Sequence, residues 1–467
     1  MSAPAAPVAQ ESAPGPGEQR LRAAFSGLTT RGRSFLAAGL AAGVCAYVLG
    51  QSDLLRVGLL LASLPVVCAL VLFRTRHRVT GSRRLSPARV SAASEARVHL
   101  RVENVSRLPT GLLMLQDRVP YVLGPRPRFV LDRMEPGGRR EVAYRVRSDL
   151  RGRYPLGPLQ LRLTDPFGMC ELTRSFSTQD ILTVVPQVEA LPPVRLTGEA
   201  KGYGEGRLRA PALSGEDDVI PRGYRHGDDI RRVHWRSTAR HGELMVRREE
   251  QPQQSRCTVL LDTRDSAFYG AGPGSAFEWA VAGAASTVLH LLERGFAARL
   301  LTDTGASVPR SGAEATLTGQ DSAEAAGLML DTLAVVDHSE SPGLSLAYDQ
   351  LRGGPGAGEG KEGLLVAFFG DVDEEQAAVI ARMCRRSGAA VAFVLDSADW
   401  AHEHEPGYPD LVPAGRSWDE ERLRLLRHSG WTVVPVRPGA PMAAMWRQAD
   451  ELRGAAGTAA GAPGGAA

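Results

Sequence analysis

Two apolar runs, 34–50 and 57–73, are separated only by the link Gln51-Ser-Asp-Leu-Leu-Arg56. Each alone is slightly short of the ~20 residues that cross a bilayer core. Extending the first to Ser52 and starting the second at Leu54 brings both near that length. Gly39 and Gly43 give a small-xxx-small spacing suited to close helix packing. The pattern then changes to period two. Residues 97–104 (RVHLRVEN) alternate, and 126–131, 139–147 and 159–163 follow, with turn signals at Pro136-Gly-Gly138 and Gly157-Pro158. Short strands at this spacing predict an immunoglobulin-like β-sandwich. From Cys257 the pattern alternates strand and helix. Strands are expected at 257–262, 296–302, 363–370, 389–395 and 431–436, and helices at 277–294, 323–335, 374–386, 418–428 and 441–452. That order predicts a doubly wound α/β domain with a mostly parallel sheet.

These periods divide the chain into six parts. Residues 1–33 form an Ala/Pro/Gly/Ser-rich arm expected to be disordered, and 34–73 two transmembrane helices. Residues 85–190 form the β-sandwich, and 191–256 a Gly/Pro-punctuated linker ending in a charge-rich stretch. Residues 257–452 form the α/β domain, with a flexible insertion at 353–363, and 453–467 a disordered Ala/Gly tail.

Arg20, Arg22, Arg31 and Arg33 precede the first apolar run, and Arg74, Arg76, Arg78, Arg83 and Arg84 follow the second; the link carries only Asp53 and Arg56. The positive-inside rule then places both termini and the soluble domains in the cytoplasm, on a multi-pass plasma-membrane protein. A cleaved signal peptide fits less well, because a long arm precedes the first run and a second follows at once. A buried soluble hairpin is the other alternative. Net charge is +3 over 467 residues with 23% charged, which implies no strong polyanion partner. The five cysteines show no CxxC pair and no metal-ligand spacing, as expected of reduced, cytosolic thiols.

The charge-rich stretch, 215–250, packs opposite charges, Trp235 and three His into a short run. Residues 228–239 have helical spacing, with Asp228 in ion-pair reach of Arg231 and Arg232. The residues predict a packed polar network. In it Trp235 covers Arg stems, and Arg222, Arg231, Arg240 and Arg247 meet Asp228, Glu249 and Glu250. On that reading Trp235→Ala and Arg231→Ala both lower stability. The competing reading is a charged surface helix whose pairs stabilise little.

Arg222-Gly-Tyr224, Gly227-Asp228, Arg231, His234-Trp235, Ala239-Arg240, Leu244, Val246-Arg247 and Glu249 together resemble the signature of the bacterial domain-of-unknown-function 58 (DUF58) family. Arg151-Gly-Arg-Tyr-Pro-Leu-Gly-Pro158 and Asp165-Pro-Phe-Gly168 are similar to that family's preceding domain. The resemblance spans roughly 35–440 and implies architecture more than mechanism. It also implies partners: a MoxR-type AAA+ ATPase first, and a membrane-bound transglutaminase-like protein second.

Sites in open α/β sheets form at the carboxyl ends of strands. Asp262-Thr-Arg264-Asp-Ser266 ends the first strand, and Asp371 ends the strand 364–370. This resembles a von Willebrand factor A domain, whose metal site uses Asp-x-Ser-x-Ser, a Thr from a second loop and a later Asp. Asp262, Ser266 and Asp371 match; Arg264 replaces the first Ser, and no Thr can be placed. Oxygen ligands of this kind suit Mg²⁺, but Arg264 puts a fixed positive charge in the same loop, free to pair with Asp262 or Asp371 instead. The expectation is therefore no cofactor, with Mg²⁺ as the one candidate. The sequence holds no P-loop and no G-x-S-x-G, and His226, His234 and His241 lack metal-ligand spacing. The expected function is a non-enzymatic, membrane-anchored adaptor or assembly factor. Its rivals are a nucleic-acid-binding module using the Arg-rich stretch, weakened by that stretch's balancing acids, and a metal-dependent hydrolase at Asp262 and Asp371.

Overall fold

The structure is a computed structural model. It describes residues 27–74, 79–107, 109–110, 112–165, 167–176, 178–194, 221–224, 233, 235–247, 256–308, 319–353, 362–385, 387–404 and 420–460. The chain divides into two compact units, 1–187 and 188–467. Most of the expected arm, the connector 195–220 and the insertion at 354–361 lie outside the described residues.

The first unit opens with two helices, α1 (Thr30–Leu49) and α2 (Ser52–Arg74), long and apolar enough to cross a membrane. The Thr29 side chain accepts from Gly32 N and starts α1, and Gly50, at φ 63°, ends it. The helices approach through glycine. A Cβ at Gly39 would lie 2.5 Å from Ala62 N, and one at Gly58 would lie 2.9 Å from Gly39 O and from Gly43 N. The close contact is thus Gly39 and the Gly43 backbone against Gly58, a residue the spacing of Gly39 and Gly43 on one helix could not reveal. Outward-facing side chains such as Leu40, Val44, Leu59 and Leu60 remain exposed.

Ten strands follow: β1 (Val79–Ser86), β2 (Arg89–Ser91), β3 (Glu95–Asn104), β4 (Leu113–Asp117), β5 (Arg128–Leu131), β6 (Arg139–Arg147), β7 (Gly152–Leu156), β8 (Leu159–Thr164), β9 (Glu171–Ser175) and β10 (Asp180–Val185). They form sheets of order β1-β3-β6, β5-β4-β8-β9 and β2-β10-β7. The period-two pattern works as expected on β3, whose Ala96, Val98, Leu100 and Val102 are fully buried. With Leu113, Leu115, Leu161 and Leu182 they make one core, which also takes in Leu28 and Cys68 of the hairpin region. The β-region starts at Val79, earlier than expected, because β1 (VTGSRRLS) offers almost no apolar alternation.

The second unit begins with a small sheet, β11 (Pro221–Gly223) against β12 (Met245–Arg247), joined through α3 (Trp235–His241). The helix expected from 228 is described only from Trp235. The main sheet contains β13 (Arg256–Leu261), β14 (Ala297–Thr302), β15 (Ser307–Val308), β16 (Glu362–Phe369), β17 (Ser387–Leu395) and β18 (Thr432–Val436). Its order is β15-β14-β13-β16-β17-β18, parallel except for the edge strand β15. Leu365–Phe369 are wholly buried because both faces are covered, which is why these strands read as unbroken apolar runs. One face packs α4 (Ala276–Glu293), α5 (Gly319–Val335) and α10 (Met442–Ala460); the other packs α6 (Ser345–Gly353), α7 (Glu374–Cys384) and α9 (Glu420–His428). Gly283 lets α4 sit on the sheet, since a Cβ there would lie 2.6 Å from Phe368 Cε1. Neither α6 nor α8 (Ser397–His404) is expected from the sequence, both being short.

Two expectations change at the edges of this unit. The tail expected from 453 is helical as far as Ala460, because Ala-rich sequence carries α10 on with little cost. Residues 188–194, expected to belong partly to the sandwich, strap the α/β unit instead. Leu191 joins its core, and the Glu189 carboxylate accepts from Met442 N (2.8 Å) and Ala443 N (3.2 Å), capping α10.

Candidate functional site

The carboxyl ends of β13, β14 and β16 meet in a polar cluster. Asp262 N donates to Phe368 O, which holds the first loop against β16. The Asp262 side chain is fully buried and Arg264 is 2% exposed. Arg264 grips it with two parallel bonds, Nε to Oδ1 at 2.9 Å and Nη2 to Oδ2 at 2.7 Å, and adds its own backbone N–H to Oδ1 at 3.2 Å. Nη2 also donates to the Asp371 carbonyl at 3.3 Å. Burial alone would lower the Arg264 pKa; the bonds and charge of Asp262 outweigh it and hold the guanidinium above its ordinary value. Burial pushes the Asp262 carboxyl up from its ordinary value, against the pull of Arg264.

A second carboxylate completes the cluster. Asp303, fully buried after β14, accepts from Thr263 N (2.9 Å), Thr263 Oγ1 (2.5 Å) and Ser339 Oγ (2.6 Å). Ser339 N donates to Thr263 O, and Asp265 N to Ser339 O, so the loop after α5 is laced to the loop after β13. Asp303 follows its strand as Asp262 follows β13, so the same sequence signal was there to find it. Ser339 carries no sequence signal at all; its hydroxyl is spent on Asp303. Gly370 is required at the end of β16, since a Cβ there would lie 2.2 Å from Ala267 O, and Asp371 N donates to that same carbonyl.

Of the three expected oxygen ligands, Asp262 has both its carboxylate oxygens engaged by Arg264. Ser266 is exposed in a short turn, and Asp371 meets Arg264 through its carbonyl. Among the described residues, no three His, Cys, Asp or Glu side chains are arranged to hold a metal ion.

The signature stretch is the second candidate. Arg222 pairs with Val246 across β11 and β12, Val233 bridges to Val246, and both valines are buried. Tyr224 N donates to Leu244 O, and Thr238 Oγ1 accepts from Met245 N at 3.0 Å, tying α3 to β12. Gly242, at φ 75°, turns the chain out of α3. Trp235 is 68% exposed, which corrects the expectation that it covers guanidinium stems. It stands at the first position of a seven-residue helix, where only one side of the residue has helix beneath it. Leu244 and the Arg236 and Arg240 side chains are exposed as well. Gly227, Asp228, Arg231, His234 and Glu249 of the expected network lie outside the described residues, and Arg247 is described in its backbone only.

Residues 221–387, from β11 to the start of β17, match the family described as "Protein of unknown function DUF58". This segment belongs to the DUF58 family. The DUF58 match therefore takes in both candidate sites. No curated protein matches the chain. Solved structures similar to parts of it include the CARDB domain of the PF1109 protein from Pyrococcus furiosus, at 10% identity, covering 23% of this chain and 89% of that one, TM-score 0.17. Another is the putative ApaA protein from Bordetella pertussis, at 13% identity, covering 23% and 91%, TM-score 0.18. The C-terminal domain of wzt is similar at 14% identity, covering 25% and 81%, TM-score 0.18.

Proposed function

We propose that this DUF58 protein is a membrane-anchored, non-enzymatic adaptor that offers its signature stretch to a protein partner. The observation that carries the reading is Trp235, exposed in the family's own segment, which also leaves Leu244 exposed. Large aromatics dominate binding energy at protein interfaces, and an exposed one on a small paired scaffold is a ready anchor. The α/β unit serves as the platform. Its sheet order, with one antiparallel edge strand, is consistent with a von Willebrand A-like domain in which Arg264 substitutes for a cation. A bidentate internal pair favours a permanently set loop over metal-dependent hydrolysis.

The hairpin of α1 and α2 crosses the plasma membrane in this reading. Its outward apolar side chains are exposed, unlike those of a soluble core helix, and the Arg-rich flanks put both termini in the cytoplasm. A cytoplasmic platform suits a MoxR-type AAA+ ATPase as partner, with a transglutaminase-like membrane protein as the second candidate; both come from the family resemblance. The test is titration of the full chain in lipid nanodiscs with a purified MoxR-type ATPase from the same cell. Saturable binding supports the partner, and no binding at any nucleotide state removes it.

A further inference from the structure

We propose that the turn holding Phe167, between β8 and β9, is a membrane-contacting loop, which seats Phe167 among the lipid headgroups beside the protein's own hairpin. This rests on the reading that the hairpin spans the bilayer. The loop is bonded to the start of α1: Thr29 Oγ1 donates to Gly168 O at 2.6 Å, Thr29 N to Met169 O at 2.9 Å and Glu171 N to Gly27 O at 2.7 Å. It also reaches α2, where Cys170 Sγ lies 3.7 Å from Pro65 O. Gly32 is required at this contact, since a Cβ would fall 2.3 Å from Met169 O.

These contacts set a depth. The apolar spans are Thr30–Leu49 and Ser52–Leu70. At 1.5 Å per residue, Gly32 lies about 3 Å inside the near end of the first span and Pro65 about 8 Å inside that of the second. The loop therefore overlaps the ends of the apolar segments, at the level where the hydrocarbon gives way to headgroups. There the Asp165 carboxylate shapes the turn, accepting from Phe167 N (3.1 Å) and Cys170 N (2.6 Å), and Phe167 is left 60% exposed. An apolar ring held out at that depth can bury at the headgroup–acyl boundary, as the Phe and Leu side chains of interfacial segments do. Charge agrees with this. Arg31 and Arg33 are exposed in the first turn of α1, and Arg31 Nη1 lies over Gly168, placed to meet lipid phosphate. Nothing in the Asp165-Pro-Phe-Gly168 motif itself announces this role; it emerges only where the loop meets the helices.

The test uses the full chain in phosphatidylcholine/phosphatidylglycerol vesicles, with an environment-sensitive fluorophore on Phe167→Cys in a Cys45→Ser background. A second sample carries the same label on native Cys45, which is exposed on α1. Lipids brominated near the headgroup or at mid-chain act as quenchers. The proposal expects the Phe167 label to emit at shorter wavelength than in water and to lose most fluorescence to the shallow bromines, less to the deep ones. A water-like, unquenched Phe167 label beside a quenched Cys45 label overturns the loop proposal alone. If neither label is quenched, the hairpin is not in the bilayer, and the membrane reading falls with it.

Discussion

Both units bury an arginine–aspartate pair, and the two pairs are built differently. In the β-unit, Arg83 on β1 binds Asp117 at the end of β4 through Nε and Nη2, and its Nη1 donates to Leu156 O (2.8 Å) and Asp180 (3.1 Å). Tyr144 on β6 donates to the same Asp117 at 2.7 Å. Burial and Asp117 push the Tyr144 phenol up, well beyond its ordinary range, so it stays a donor. That network ties together residues up to 97 positions apart and belongs to the interior of the fold. In the α/β-unit, Arg264 and Asp262 are two residues apart in one loop, at the strand ends where such folds place their ligands. The first pair fastens strands together. The second fixes the shape of one strand-end loop.

The largest expected effect follows from removing the long-range pair. Asp117→Ala takes the bidentate partner from Arg83, leaving it only Leu156 O and Asp180, and takes the acceptor from half-buried Tyr144; it should cost about 3–5 kcal/mol in a denaturant melt of the full chain. A loss as small as that of a surface residue would mean that the network is relaxed by water. Arg264→Ser should cost less, about 1–3 kcal/mol, because Asp262 keeps the backbone N–H of residue 264 and can take up a proton. The same variant should gain Mg²⁺ binding by titration calorimetry, while the parent binds weakly or not at all. Tight binding by the parent would place the cation elsewhere than on Asp262.

A smaller effect separates the units by pH. Burial, then Arg294, lowers the pKa of His290, which meets Trp446 edge-on in the α/β core. The unfolded chain then takes up a proton near the usual value of 6.5 that the folded chain refuses until lower pH. Stability contributed by neutral His290 is therefore present above that value and is lost as pH falls through the window below it. Melting at pH 7 and at about pH 5 should show this loss in the parent and a flatter profile in His290→Gln. Equal profiles would mean that acid destabilisation comes from other groups.

Much of the architecture was legible in period alone. The central strands of the α/β sheet are covered on both faces and read as apolar runs, and β3 alternates because one face is buried. The pieces that escaped do so for physical reasons. Arg83, Asp117, Asp180 and Tyr144 lie on separate strands, and no local pattern joins residues that meet only through sheet pairing. Ser339 sits in an irregular loop and acquires its place by backbone contact with Arg264. Asp262 and Arg264 were readable because they are neighbours in sequence. Trp235 misled, since an aromatic among charges reads as a cover for them, whereas its position at the start of a short helix leaves it uncovered.

Trp235→Ala in the full chain, in nanodiscs, separates a tryptophan that packs the fold from one that meets a partner. Its melting should stay within about 0.5 kcal/mol of the parent, as for an exposed surface residue. Its affinity for the MoxR-type ATPase should fall tenfold or more, the loss of about 1.4 kcal/mol or more expected of an interface anchor. A variant that melts several degrees lower and binds as the parent does would contradict the account and return Trp235 to the interior of the signature stretch.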